Sequence, residues 1–429
     1  QARSAGGDQL VVGLHELDNQ ARELAGDEIG VGGRKQQRRS DNSKKRRGGG
    51  LPGPAKVSGS GQRAVGAMSY TWAMTTYSAV VTTGIYCRPG CGARPKASNT
   101  RTFELAAAAE AAGFRACLRC RPYRVAGPVP LGAPELVCQA VQMIIYGALD
   151  DGGTEAGLAE RAGVSARHLR RLFLQHLGAT PDQLARSRRA HFARRLLDDT
   201  DLTAADIAFA SGFGSLRQFN RAMQEVFRSS PTDLRRRRHR ADRLIADGGL
   251  ALRLPVLPGY DWAEVRSALA ARAVLGVAVV DGDTYRRTIT VGGEAGLLEV
   301  APGEPGNLVL RLHLPYWEGL IHLVGRIAGL LGADADQRPG LAGPGAWTEF
   351  EAEVGAIARH GRDAVAAARW LGSFAATLGP PVPGLPGGLT HAFPAADAVT
   401  PERLARAGVG GPETAAITAL AAANLAASA

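Results

Sequence analysis

The chain has 429 residues, 45% of them hydrophobic, and a formal net charge of +11 from 51 basic against 40 acidic residues. That length fits about three domains, and the apolar content suffices for packed cores. No apolar run is long enough to span a bilayer, and the arginines lie in folded-looking segments rather than along an amphipathic surface helix. A membrane partner is therefore not expected. Nucleic acid is the expected polyanion.

Residues 1–66 include R-K-Q-Q-R-R-S-D-N-S-K-K-R-R-G-G-G-L-P-G-P, a basic Gly/Pro/Ser-rich run that cannot bury a core and is expected to be a disordered tail. M-S-Y-T-W-A-M-T-T-Y-S follows without a clear helical period. Then come two close cysteine pairs, Cys87 and Cys91 in Y-C-R-P-G-C and Cys117 and Cys120 in C-L-R-C-R-P. Each short spacing lets two sulfurs converge on one ion, and the intervening stretch is long enough to fold back and close a tetrahedron. Zn2+ is the expected ion. Thiolates would also suit an iron–sulfur cluster, but the usual cluster-binding runs are missing. Two disulfides are the other alternative, in a sequence showing neither a secretory signal nor the cysteine density of a small secreted scaffold.

These stretches resemble the metal-binding methyl-acceptor domain of the Ada family. T-T-G-I-Y-C-R-P-G-C at 82–91 and G-F-R-A-C-L-R-C-R-P at 113–122 look like its two signatures, and Asn99 to Phe103 like the short strand between them. The resemblance implies that Cys87 takes a methyl group from a methylated DNA backbone phosphate, with Cys91, Cys117 and Cys120 as the remaining ligands. A thiolate is the nucleophile, and coordination keeps it deprotonated. Four thiolates on a divalent ion leave roughly two negative charges, which repel a phosphodiester but not a neutral triester. Methylation of Cys87 removes one of them, so DNA should then bind more tightly, helped by Arg88, Arg94, Arg115, Arg119 and Arg121. The residues before Val80 depart from the family's polar helical lead-in, and a purely structural zinc ribbon is the alternative.

Helix signals dominate from Glu135 to Arg243. Cys138, in L-V-C-Q-A-V-Q-M-I-I, reads as a small buried core thiol. E-A-G-L-A-E-R-A-G-V-S-A-R-H-L-R-R-L-F places Gly163 at a turn and Ser165 as the cap of a second helix. A-D-I-A-F-A-S-G-F-G-S-L-R-Q-F-N-R-A-M repeats the scheme with Gly212 and Ser215, and T-P-D-Q-L-A-R-S-R-R-A-H-F-A-R-R-L-L supplies a long helix between the units. Two helix-turn-helix units on a rigid connector can address successive major-groove faces. The pair resembles the AraC-type DNA-binding domain, with Ile207, Ala208, Gly212, Phe213, Phe219, Phe227 and Pro231 matching the second unit's pattern. Base contacts are expected from Arg167, His168 and Arg171 in the first unit and Arg217, Gln218 and Arg221 in the second. R-R-R-R-H-R at 235–240 reads as a backbone clamp or helix end.

Beyond a short linker near Asp247, L-R-L-P-V, L-G-V-A-V-V, Y-R-R-T-I-T-V, L-L-E-V and L-V-L-R-L-H-L are strand-like, interleaved with two helix signals. An antiparallel sheet backed by helices fits. P-G-Y-D-W and D-G-D-T-Y-R-R-T-I resemble the amino-terminal domain of AlkA-type 3-methyladenine DNA glycosylases; a small-molecule sensor is the alternative. The remainder resembles the first part of the glycosylase catalytic domain through P-G-A-W-T-E-F-E, A-V-A-A-A-R-W-L and G-L-T-H-A-F-P. A-R-H-G-R-D stands where that family has a Gly-Gln-Gln segment, and Gly343 to Trp347 is not its helix-hairpin-helix. The sequence ends before that hairpin and the aspartate such enzymes use, and Asp363 and Asp397 lack the right context, so base excision is expected to be weak or missing. No P-C-H-R motif occurs, so the base-demethylating half of Ada proteins is not expected.

The expected architecture is multidomain α+β. It comprises a basic tail at 1–66, a zinc-thiolate methyl-acceptor domain at 67–126, an all-helical double helix-turn-helix domain at 133–243, an antiparallel sheet-plus-helix domain at 250–336 and a truncated helical glycosylase domain at 337–429. The resemblances imply a bacterial, cytoplasmic DNA-alkylation response protein, a stoichiometric methyl acceptor that becomes a transcription activator. Its expected partners are double-stranded DNA and RNA polymerase, with no small-molecule cofactor. The rivals are a zinc-stabilised AraC-type regulator without transfer chemistry and an inactive remnant.

Overall fold

The computed structural model of the chain describes residues 76–428 apart from 89, 94, 125–132, 151, 245–248 and 334–344. The basic tail, the stretch from Met68 to Thr75, Arg94 and the Gly343–Pro344 pair lie outside the described residues. The described fold is mixed α+β. Two short strands, β1 (Tyr77–Val80) and β2 (Ile85–Cys87), form a hairpin; β3 (Thr100–Phe103) pairs with the other edge of β1, and β4 (Arg115–Ala116) runs parallel to β2. Helix α1 (Ala106–Ala111) buries three alanines, Ala109 in the core shared with this sheet and Ala107 in the core of the helical segment that follows. Strand β1 is not predicted from local pattern, because four residues next to a turn carry too little alternation to read.

The helical segment follows the expected order. It contains α2 (Glu135–Ile145), α3 (Glu155–Arg161), α4 (Ala166–Leu177), α5 (Pro181–Asp199), α6 (Ala204–Ala210), α7 (Leu216–Phe227) and α8 (Pro231–Arg236). Ser165 and Ser215 each accept a hydrogen bond from a first-turn amide of the following helix. Gly163 and Gly212 take φ of +69° and +77°, the left-handed turn that a side chain would disfavour. Helix α5 starts in a capping box built by Thr180 and Gln183 and spans 19 residues, about 28 Å. One end, through Leu184 and Ala185, joins the core of α2, α3 and α4; the other, through Phe192, Leu196 and Leu197, joins that of α6 and α7. The helix thus joins two cores at its two ends, and that makes it a connector. Cys138 departs from the expected core position: it is half-buried beside Val137 and Val141, its Sγ 3.7 Å from the Ala133 carbonyl oxygen.

An antiparallel five-stranded sheet follows, in the order β5 (Leu250–Pro255), β9 (Asn307–His313), β8 (Glu294–Pro302), β7 (Thr284–Val291), β6 (Ala278–Asp281). Helices α9 (Trp262–Ala271) and α10 (Leu320–Leu330) accompany it, as the interleaved helix signals predict. The last helices are α11 (Glu349–Arg359), α12 (Ala364–Leu378), α13 (Pro401–Arg406) and α14 (Gly411–Ser428), which share a core of their own. No helix among the described residues is long and apolar enough to cross a membrane. Arg287 of β7 and Glu351 of α11 form a buried pair at 2.8 Å, and Glu351 also accepts the Trp347 amide at 2.9 Å. Glu351→Ala strands that guanidinium and is expected to cost about 3 kcal/mol, read as a lower urea midpoint.

Charge also joins the three sequence segments. Asp198 and Asp199, at the end of α5, receive Tyr123 and Arg124 from the cysteine-bearing segment and Arg253 from β5. Asp242 receives Arg121 at 2.6 Å and Arg124 at 3.3 Å. Burial opposes ionisation of Asp242, but the Arg121 guanidinium and the His239 amide hold its carboxyl down at about 2. A folded pKa below the ordinary value of about 4 stabilises the fold above that pH and loses the contribution as pH falls towards 2. The stability difference between the parent chain and Asp242→Asn is therefore expected to shrink over that window in acid titrations followed by circular dichroism.

Candidate metal centre and nucleic-acid interface

The four expected cysteines converge. One ligand atom from each of Cys87, Cys91, Cys117 and Cys120 lies within 4.8 Å of all the others. Cys87 ends β2, and its partner pair is delivered by β4, whose chain continues with the Cys117 amide donating to the Tyr86 carbonyl at 3.0 Å. Gly90, at φ +74°, makes the tight turn between Cys87 and Cys91. Without a cation, Cys87 and Cys120 resist ionisation. Burial and the neighbouring sulfurs push Cys87 well up and Cys120 up to about 12. Cys117, although burial opposes it, is held below its usual value by the Cys120 and Arg119 amides. Four soft donors this close, three of them with perturbed ionisation, fit a thiophilic divalent cation. Cys87 is the most enclosed of the four, at 7% exposure.

The expected arginines separate into two groups. Arg88 and Arg119 are exposed beside the cluster, and Arg88 also donates to the Cys120 carbonyl at 2.9 Å. Arg115 is half-buried against the Ala116 carbonyl. Arg121 departs from the expectation of a DNA contact: with φ +51° it turns inward, and its guanidinium is taken up by Asp242. In the helical segment Arg167 and Arg171 are exposed on α4, with His168 half-buried and 3.0 Å from Arg171. Arg217, Gln218 and Arg221 are exposed on α7, Arg221 donating to Glu225 at 2.8 Å. The run at 235–240 is used locally, Arg235 and Arg238 bonding the Leu202 and Thr200 carbonyls.

Sequence reasoning missed a cluster beside the cysteines. Tyr86, the neighbour of Cys87, donates to Glu110 of α1 at 2.6 Å, and His191 of α5 lies 2.7 Å from the same carboxylate oxygen and 3.0 Å from the Tyr86 hydroxyl. Tyr86 was visible in the Y-C-R-P-G-C motif, but its partners lie 24 and 105 residues away, beyond any local pattern. Asp363 caps α12 through the Ala366 amide at 2.8 Å, and Asp397 is exposed.

Comparison with known proteins agrees with this layout. Residues 62–123 match the metal binding domain of Ada, residues 158–237 a helix-turn-helix domain and residues 251–341 the AlkA N-terminal domain. A Mycobacterium tuberculosis protein named "Probable bifunctional transcriptional activator/DNA repair enzyme AlkA" is 38% identical over 344 residues, covering 74% of this chain and 68% of that protein. The chain belongs to the family of Ada/AlkA bifunctional transcriptional activator/DNA repair enzymes. Within that family, the Escherichia coli "Bifunctional transcriptional activator/DNA repair enzyme Ada" is 33% identical over 150 residues, 34% of this chain and 40% of that protein. The Bacillus subtilis protein AdaA, of the same description, is 30% identical over 144 residues, 33% of this chain and 66% of that one. The Ada model thus covers the cysteines, the helix-turn-helix model most of the helical segment, and the AlkA N-terminal model the five-stranded sheet.

Proposed function

We propose that Cys87 accepts the methyl group of a DNA methylphosphotriester, that Cys87, Cys91, Cys117 and Cys120 hold Zn2+, and that α4 and α7 then read a promoter site. The observation that supports this most is the convergence of the four sulfurs beside exposed Arg88 and Arg119. Bound zinc would keep the thiols ionised at neutral pH. The Cys87 sulfur attacks the methyl carbon; an S–C bond forms, the C–O bond breaks, and its electron pair stays on the phosphate oxygen, restoring an anionic diester. Arg88 and Arg119 would hold the flanking phosphates, and the gain of a neutral thioether removes repulsion between the cluster and the DNA backbone.

Intact and peptide mass spectrometry after incubation with DNA carrying methylated backbone phosphates tests the transfer. One added methyl on Cys87, absent from Cys87→Ser, is expected; a zinc-loaded chain that gains none is instead a zinc-stabilised regulator. The enclosure of Cys87 favours that second reading, since a nucleophile at 7% exposure must be reached by the triester. For the helical segment, double-stranded DNA is the proposed ligand and RNA polymerase the proposed partner of the bound form. Arg217→Ala is expected to weaken operator binding by about 1–3 kcal/mol with relaxed preference at one base pair, or to lower the salt slope by about one if it meets a phosphate. Residues 250–336 are proposed as the scaffold of a glycosylase module. Neither Asp363, committed to its cap, nor Asp397 is proposed as a base-excision carboxylate.

A further inference from the structure

Helix α5 carries two arginines that its neighbours leave unanswered. Arg189 is paired with Asp150 and Arg194 with Asp198, whereas Arg188 and Arg195, seven residues apart on one helical face, make no ion pair or hydrogen bond among the described residues. The Arg195 guanidinium lies over the Phe192 ring, 5.0 Å from its centroid. Both side chains line a cavity of about 300 Å³, at the small end of the range for small-molecule sites. Its walls come from all three sequence segments: Leu105 before α1, Val141 of α2, Leu254 of β5 and Val324 of α10. These walls are apolar, and they leave Arg188 and Arg195 only partly exposed to water.

We propose that this cavity binds a small organic oxyanion, a carboxylate or phosphate monoester carrying an apolar group, with Arg188 and Arg195 gripping the head and the apolar walls taking the remainder. Guanidinium matches both head groups through paired N–H donors, and two partly buried cations, each near a carboxylate (Asp150, Asp199) but in direct contact with none, gain from an anion that bonds them directly. Burial and neighbouring arginines lower both guanidinium pKa values to about 10, against the raising effect of Asp150 on Arg188 and of Asp199 on Arg195. His191, between them on the same face, also borders the cavity, although its Nε2 is engaged by Glu110 and Tyr86. The cavity contains none of the four cysteines, so the inference stands apart from methyl transfer. A bound anion would touch the cysteine-bearing segment, the helical segment and the sheet at once, and so favour their joined arrangement.

Thermal unfolding of the full zinc-loaded chain tests it, with phenyl phosphate and phenylacetate as probes and phenylacetamide and matched sodium chloride as controls. At least one charged probe is expected to raise Tm by roughly 2–4 °C, with no rise from either control. The probe with the larger effect identifies the preferred head group. The rise should vanish in Arg188→Met and in Arg195→Met and persist in Arg217→Ala, which separates the cavity from the basic DNA-binding face. Without anion, both methionine variants are expected to melt at or above the parent, because a partly buried charge with no direct partner has been removed. Overturning results are no rise with either probe, an equal rise in sodium chloride, or a rise that survives in both methionine variants. Methionine variants that melt below the parent in anion-free buffer would also overturn it, because the arginines would then already have a partner within the chain.

Discussion

Cys117→Ala is expected to release the proposed zinc and to unfold the cysteine-bearing segment locally. The sheet at residues 77–116 has strands of only two to four residues, too short to stand without a cross-link. Binding of structural zinc by small domains is worth about 10–16 kcal/mol at neutral pH, far more than these strands supply. Removing one of four ligands, or adding a chelator to the parent, should therefore free the Tyr86, Ala116 and Cys117 amides to exchange with deuterium while α5 stays protected. A zinc-colorimetric assay would show loss of the ion. Retained protection at Tyr86 in metal-free protein would mean that packing of α1 and Tyr86 against α5 holds the segment by itself, and the metal would then be chemical rather than structural.

Asp198→Ala is expected to destabilise the folded chain by about 4–5 kcal/mol, because one deletion strands several groups at once. Asp198 is fully buried, at 0% exposure, and takes the Tyr123 hydroxyl at 2.9 Å, Arg124 at 3.2 Å and the guanidinium of Arg194. Arg194 is itself buried and has no second carboxylate among the described residues. The check is the urea midpoint followed by circular dichroism, compared with Asp201→Ala. Asp201 makes salt bridges of similar length to Arg238 and Arg243 but lies at the surface, so its loss should cost well under 1 kcal/mol. Equal effects from the two variants would mean that water enters the Asp198 site.

Much of this was legible in the sequence, for identifiable reasons. The cysteine spacing, the Ser165 and Ser215 caps, the Gly163 and Gly212 turns and the strands around Arg287 are local signals, readable within a dozen residues. The sheet order β5-β9-β8-β7-β6 agrees with the antiparallel expectation. L-L-E-V marked only the middle of β8, which runs from Glu294 to Pro302 because pairing with two neighbours extends it past its apolar centre. The illegible part is long-range polar contact. Arg121 sits in a motif full of arginines and resembles its neighbours, yet its partner is Asp242, 121 residues away. Arg188 and Arg195 look like ordinary members of a basic helix, and only the walls contributed by Leu254 and Val324 distinguish them from Arg186, which reaches Glu225 at the surface.

The Asp199 carboxylate is met by the Arg253 amide at 3.0 Å and the Arg253 guanidinium at 2.8 Å, across the junction between the helical segment and the sheet. A self-sufficient domain should survive being moved into another chain. This one would not move cleanly. A recombinant keeping the helices but exchanging the sheet would inherit a buried acid that had lost the Arg253 amide and guanidinium and kept only the longer contact to Arg124. Lineages carrying this fusion are therefore expected to pass its parts on together, with Asp199 and Arg253 changing as a pair if they change at all.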